Sequence, residues 1–221
     1  MRETKAVIFD MDGVIFDSER ATYLCWKKVA EDHGLPHMDE VYRKCIGVTV
    51  EATKQICKEA YGEDFPFDRF DKEASLLYHE RYDGGRLPVK EGAREILSYL
   101  KEQGIPVALA SSTREERVKK QLQEAELLGY FDVVVGGERV QKSKPAPDIF
   151  LFAAKQLGIP PHDCVVIEDS FNGILAADAA GMVPVMVPDM LEPDDRIRDK
   201  CRAVCRSLTE VRKKIAEGSL F

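Results

Sequence analysis

The stretch Ala6-Val7-Ile8-Phe9-Asp10-Met11-Asp12-Gly13-Val14 decides how this chain is read. Its first four residues form an apolar run too short for a helix, the pattern of a buried parallel strand. Two carboxylates two residues apart follow at the carboxyl end of that strand, the edge where open α/β sheets bind ligands. They repel each other in a low-dielectric site unless a cation lies nearby or one keeps its proton. Gly13 then permits a sharp departure of the backbone. The arrangement suits an aspartate nucleophile beside a divalent metal, with the second aspartate carrying the proton. A calcium-binding EF-hand loop begins similarly, but its remaining carboxylates and closing glutamate do not follow here.

Downstream, helix and strand patterns alternate from Arg86-Leu87-Pro88-Val89 onward. The pattern predicts a helix over Ala93–Gln103 closed by Gly104, then a strand over Ile105–Ala110. Thr113 and Glu116 read as a capping box for a helix reaching Leu128. A strand over Phe131–Val135, a helix over Ala146–Leu157 ended by Gly158, and a strand over Cys164–Ile167 follow. A helix of small residues over Gly173–Ala180 stops at Gly181, and Val183–Val187 and Ala203–Cys205 supply the last strands. Such alternation implies crossover units and a mainly parallel sheet covered on both faces.

Between Asp17 and Arg86 the pattern changes. Helical periodicity runs over Ala21–Asp32, Val41–Ile46, Val50–Tyr61 and Phe67–Tyr82, with no strand signal. The fold class is therefore α/β, with an all-helical cap (residues 17–86) inserted into a core made of residues 1–16 and 87–221.

Of the 221 residues, 44% are hydrophobic, enough for a sizeable core. Lys and Arg number 32 against 39 Asp and Glu, a net charge of −7 that argues against a nucleic-acid or anionic-membrane surface. No apolar stretch approaches the ~18 residues that span a bilayer, and Met1–Lys5 leads into the first strand without a signal-peptide pattern. Six scattered cysteines form no CxxC pair and suit a reduced cytoplasmic compartment. His33 and His37 have helical spacing, but Gly34 and Pro36 between them break the helix a metal pair would need.

Three further signals fall at or near strand ends. Ser111 follows Val107-Ala108-Leu109-Ala110, where its hydroxyl and nearby backbone N–H groups suit a phosphoryl oxygen. Lys144, before Pro145-Ala146-Pro147, supplies a charge for both a carboxylate and a phosphate. Glu168-Asp169 ends the strand Cys164–Ile167, with Ser170 placed to cap the next helix. Four carboxylates on two neighbouring strand ends nearly require a cation, and hard oxygen donors favour Mg²⁺. Glu168 is either a ligand or a structural hydrogen-bond acceptor.

In this order, Phe9-Asp10-Met11-Asp12-Gly13-Val14-Ile15, Ala110-Ser111, Ser143-Lys144-Pro145-Ala146-Pro147-Asp148 and Ile167-Glu168-Asp169-Ser170 resemble the four motifs of the haloacid dehalogenase-like hydrolase superfamily. The subfamily they resemble contains β-phosphoglucomutase and small sugar-phosphate phosphatases. The resemblance implies a Rossmann-like core with a helical cap. It implies Asp10 as the nucleophile forming an aspartyl-phosphate, Asp12 as general acid and base, and Ser111, Ser112 and Lys144 as phosphate binders. It also implies Mg²⁺ held by Asp10, the main-chain carbonyl of Asp12 and Asp169, with Glu168 assisting. A dehalogenase has no leaving alkoxide to protonate and lacks the second aspartate, so Asp12 disfavours carbon–halogen cleavage.

The departures bear on which reaction is run. In β-phosphoglucomutase the cap motif resembles Leu-Lys-Gly-Val-Ser-Arg, and Cys45-Ile46-Gly47-Val48-Thr49-Val50 stands in its place here. Ile46 and Val50 replace the two cations, and Thr22 replaces the hinge-side histidine of the mutases. The expectation is a cytoplasmic, monomeric, Mg²⁺-dependent phosphatase of a small phosphorylated metabolite, a sugar or polyol phosphate. A phosphosugar mutase is the alternative, and a decayed phosphate-binding regulatory protein is the second.

Overall fold

The computed structural model describes residues 6–220; the reading of Met1–Lys5 as a leader-free start lies outside the described residues. Two compact units emerge. One comprises Met1–Asp17 and Val89–Phe221, and the other Ser18–Pro88.

The first unit is built on six parallel strands: β1 (Ala6–Phe9), β2 (Val107–Ala110), β3 (Val133–Val135), β4 (Cys164–Glu168), β5 (Val183–Met186) and β6 (Ala203–Val204). Their order is β3-β2-β1-β4-β5-β6, so the winding reverses between β1 and β4. In an open α/β sheet that reversal leaves a crevice at the carboxyl edge. The register places Phe9 beside both Leu109 and Ile167. The residues that follow these three therefore reach the edge together.

Both faces of the sheet are covered. Ile8, Ala108, Ala110 and Val166 pack with Phe150, Ala153 and Ala154 of α7 (Asp148–Leu157) and with Ala176 and Ala177 of α8 (Phe171–Ala179). Val7, Phe9, Leu109, Val165 and Ile167 alternate onto the opposite face and are equally buried. Small side chains let α8 lie close to the strands, and Gly158 ends α7 in the left-handed conformation. Also in this unit are α5 (Ala93–Glu102), α6 (Glu115–Glu124), α9 (Asp195–Arg198) and α10 (Leu208–Ala216).

Several boundaries differ from the periodicity. Pro106 has no N–H to give a ladder, and β2 begins after it. The helix expected to reach Leu128 ends at Glu124, and Leu128–Tyr130 forms a separate 3-10 turn. Thr113 does not cap α6: Arg114 holds the N-cap position, without a side-chain cap bond.

The second unit is helical: α1 (Ser18–Asp32), α2 (Met38–Cys45), α3 (Val50–Tyr61) and α4 (Phe67–Tyr82). Trp26 organises its core, with Tyr42, Phe67 and Phe70 set edge-on at ring-centroid distances of 5.4, 5.9 and 5.1 Å. His33 and His37 fall between α1 and α2, and His33 pairs with Glu73 at 2.6 Å instead of with a metal partner.

The two chain crossings between the units are stitched within the first unit. Phe16 forms an antiparallel bridge with Val89, and Lys90 N–H donates to the Ile15 carbonyl at 2.9 Å. Lys90 Nζ lies 3.6 Å from Asp17 and 2.6 Å from Asp189. Among the described residues no helix is long and apolar enough to cross a membrane. All six cysteines are free thiols, with Cys164 buried in β4.

Candidate active site

At the carboxyl edge the register brings three chain segments to one point. Asp10 leaves β1 with its N–H bonded to the Ile167 carbonyl at 2.9 Å, and its carboxylate is buried. Glu168 is the last residue of β4 and is 1% exposed. Lys144 arrives from the segment after β3, and its side chain is 7% exposed.

The ammonium of Lys144 has three N–H donors, and three acceptors surround it. It donates to Asp10 Oδ1 at 2.5 Å, Glu168 Oε1 at 2.7 Å and the Ala110 carbonyl at 3.3 Å. The Phe150 ring lies 4.8 Å below it. Glu168 is in turn held rigidly: its Oε2 accepts from Asp169 N–H at 2.9 Å, Ser170 N–H at 2.8 Å and Ser170 Oγ at 2.9 Å. Ser170 Oγ also accepts from Gly173 N–H, capping α8 as its sequence position suggested. Gly173 has to be glycine, because a Cβ there would overlap the Glu168 carboxylate.

One ammonium cannot neutralise this many buried acids. Burial first, then the charges of Glu168 and Asp12, push the Asp10 carboxyl up to about 8 despite Lys144. Lys144 loses charge stability to burial, but Asp10 and Glu168 outweigh this and push it above its ordinary value. The surplus negative charge is thus relieved by a proton on Asp10, a role a divalent cation fills equally well.

Asp12 sits beyond Asp10 and is partly exposed. Its Oδ2 accepts from Thr113 Oγ1 at 3.1 Å, while Ser111 Oγ lies 3.5 Å away. Ser111, wholly buried, accepts from Thr113 N–H at 3.0 Å. Thr113 is therefore a site residue that the capping-box reading misassigned; its position two residues after Ser111 was the available signal. Ser112 is exposed beside them. Gly13, at φ 76°, brings the β1 turn so close to Asp169 that a Cβ would overlap that carboxylate. Asp169 and the residues after Asp10 thus share one small volume.

The donor set fits Mg²⁺, which takes one or two carboxylates and completes its shell with carbonyls, water and substrate oxygens. Among the described residues no three His, Cys, Asp or Glu side chains converge as a ready-made metal cage. Asp10, the Asp12 carbonyl and Asp169, the ligands that the sequence resemblance implies, would offer two carboxylates and a main-chain oxygen, a sparse set that Mg²⁺ tolerates.

Comparison with known proteins shows the family. The haloacid dehalogenase-like hydrolase pattern matches residues 4–181. The chain is 36% identical over 181 residues to the phosphorylated carbohydrates phosphatase of Thermotoga maritima, covering 80% of this chain and 82% of that one. It is 34% identical over 190 residues to β-phosphoglucomutase of Bacillus subtilis, covering 83% of each. The crystal structure of a family hydrolase from Deinococcus radiodurans, with phosphate and sodium bound, superposes with a TM-score of 0.85 at 30% identity, covering 100% of this chain and 99% of that one. The chain belongs to the haloacid dehalogenase-like hydrolases, with the parallel sheet and inserted helical unit of its relatives.

Proposed function

We propose that this protein is a Mg²⁺-dependent phosphatase that hydrolyses a small sugar or polyol phosphate through an aspartyl-phosphate on Asp10. The observation that carries the reading is the pairing of a buried, lysine-clamped Asp10 with a second carboxylate, Asp12, held by the hydroxyl of Thr113. The sugar class rests on relatives named for phosphorylated carbohydrates and hexitols.

An Asp10 carboxylate oxygen attacks phosphorus and the bond to the leaving sugar oxygen breaks, while Asp12 gives that oxygen its proton. Asp12 then takes a proton from water as the water oxygen attacks the same phosphorus, releasing phosphate and freeing Asp10. Ser111, Ser112 and Lys144 receive the phosphoryl oxygens. The bond from Lys144 to the Ala110 carbonyl, at 3.3 Å the longest of its three, is the one a phosphoryl oxygen replaces most easily. Glu168, with both oxygens engaged, acts by holding Lys144. Asp10, the Asp12 carbonyl and Asp169 would hold Mg²⁺, which would supply positive charge to offset the Asp10 carboxylate and the substrate phosphate.

A mutase must also hold a second phosphate, and Ile46 and Val50 provide no charge for it. The test is a phosphate-release screen over sugar, polyol and nucleoside monophosphates, run beside a coupled assay for conversion of β-glucose 1-phosphate to glucose 6-phosphate. Mg²⁺-dependent release from a sugar or polyol ester, abolished reversibly by chelator, is expected. Isomerisation much faster than release would replace the phosphatase with a mutase. Absence of any turnover would favour the decayed binding protein.

A further inference from the structure

The loop that carries Ser111, Ser112 and Thr113 is bound along its length by the segment that follows β3. Hydrogen bonding between the two outlasts the strands. Ser111 N–H donates to the Val135 carbonyl at 3.1 Å, and Gly137 N–H donates to the Thr113 carbonyl at 3.1 Å. The next residue, Glu138, reaches the start of α6, where its two carboxylate oxygens accept from Glu115 N–H at 3.0 and 3.1 Å. Arg114, at the N-cap position, gives α6 no side-chain cap, so a carboxylate from another segment satisfies one of the free N–H groups there. Hydrogen bonds from its own main-chain N–H, and then from that of Glu115, hold the Glu138 carboxyl below its ordinary value and keep it charged.

Two glycines make this approach possible. A Cβ at Gly136 would overlap the main chain of Glu115, and one at Gly137 would overlap the Ser112 carbonyl. Neither glycine has a positive φ, so what the positions require is space. The contacts converge on Thr113. Its N–H donates to Ser111 Oγ at 3.0 Å, its carbonyl accepts from Gly137, and its hydroxyl donates to Asp12 Oδ2 at 3.1 Å. With both main-chain groups tied, the direction of the hydroxyl follows from where the loop sits.

We infer that Gly136, Gly137 and Glu138 are positioning residues: they set the Ser111–Thr113 loop against the strand edge and thereby aim the Thr113 hydroxyl at Asp12. Glu138 acts through Glu115, two residues after Thr113, and the glycines act by letting the two main chains touch. Only the consequence for Asp12 chemistry rests on the phosphatase reading; the hydrogen bonds stand without it.

Glu138→Ala removes one tie at an exposed position. The kcat for phosphate release should fall roughly threefold to tenfold, with KM changed less than about twofold. Glu138→Gln keeps an acceptor for Glu115 N–H and should restore kcat. In a Thr113→Val background, Glu138→Ala should cost less than about twofold, because the hydroxyl it aims is gone. Gly137→Ala should lower kcat further than Glu138→Ala does. A crystal structure of Glu138→Ala is expected to show Thr113 Oγ1 drawn away from Asp12, and it decides alone if Gly137→Ala fails to fold. A lowered urea midpoint with wild-type kcat, or an undiminished loss on top of Thr113→Val, would reduce Glu138 to a helix cap and overturn the inference. If the wild-type protein releases phosphate from no ester, the phosphatase reading falls, and the crystal structure still decides the positioning role: an unmoved Thr113 hydroxyl overturns it.

Discussion

Asp10 has to meet two opposed requirements, ionisation for attack and burial beside other acids. Without a cation the folded chain keeps a proton on it up to about pH 8, whereas its ordinary value is 3.8. Between those limits the folded state binds a proton that the unfolded state does not, so stability falls as pH rises through the window. Thermal melts in excess chelator are expected to show that fall, and Asp10→Asn is expected to flatten it while abolishing turnover. A wild-type melting profile insensitive to Asp10 replacement would contradict the assignment. Thr113 gives a second prediction at this scale. Thr113→Val removes one hydrogen bond to Asp12, worth about 1 kcal/mol, so kcat should drop roughly fivefold to tenfold. Thr113→Ser should restore it, and the effect should vanish in an Asp12→Asn background. The positions of Asp10, Asp12, Ser111, Glu168 and Asp169 were legible because each follows or adjoins an apolar strand run, and that of Lys144 because Pro145-Ala146-Pro147 follows it. Thr113 was not, because a hydroxyl three residues before a glutamate reads equally as a helix cap.

The elements show how far such local signals carry. Two of the Ser/Thr-x-x-Glu signatures in the core unit behave differently. Ser207 with Glu210 is a working cap: Ser207 Oγ accepts from Glu210 N–H at 3.3 Å, and Glu210 reaches back to Arg206 N–H at 2.9 Å. It opens α10, a helix that periodicity had not assigned. Thr113 with Glu116 has the same spelling, but Asp12 takes the threonine hydroxyl. Local spelling cannot choose between a helix N–H and a carboxylate a hundred residues away. Long helices with aromatic anchors, such as α3 and α4, were read to the residue. At the start of α8, Ser170 serves both the helix and Glu168, and Gly173 leaves room for the Glu168 carboxylate. Gly173→Ala is expected to displace Glu168 and loosen Lys144, costing about 1–3 kcal/mol in urea denaturation. Phosphate release should fall at least tenfold. A variant of normal stability and activity would show that the carboxylate has space to move.

For the whole molecule, alternation against an uninterrupted helical block was enough to separate core from insertion. Strand order was not legible, since parallel strands all read as similar apolar runs and their pairing depends on contacts over a hundred residues apart. The Phe16–Val89 bridge and the Lys90 contacts close the chain crossings inside the core unit. Replacing Ser18–Pro88 with a short Gly-rich linker should therefore leave a core that unfolds in one cooperative transition, checked by circular dichroism during heating. A noncooperative melt would show that the sheet needs its insertion. The same seam has an evolutionary meaning. A helical block whose ends meet at a bridge's width can be exchanged as a cassette, without altering a residue at the strand edge where Asp10, Lys144 and Glu168 meet. Lineages can then trade the insert while inheriting the chemistry intact, so divergence in sequence should concentrate between Ser18 and Pro88.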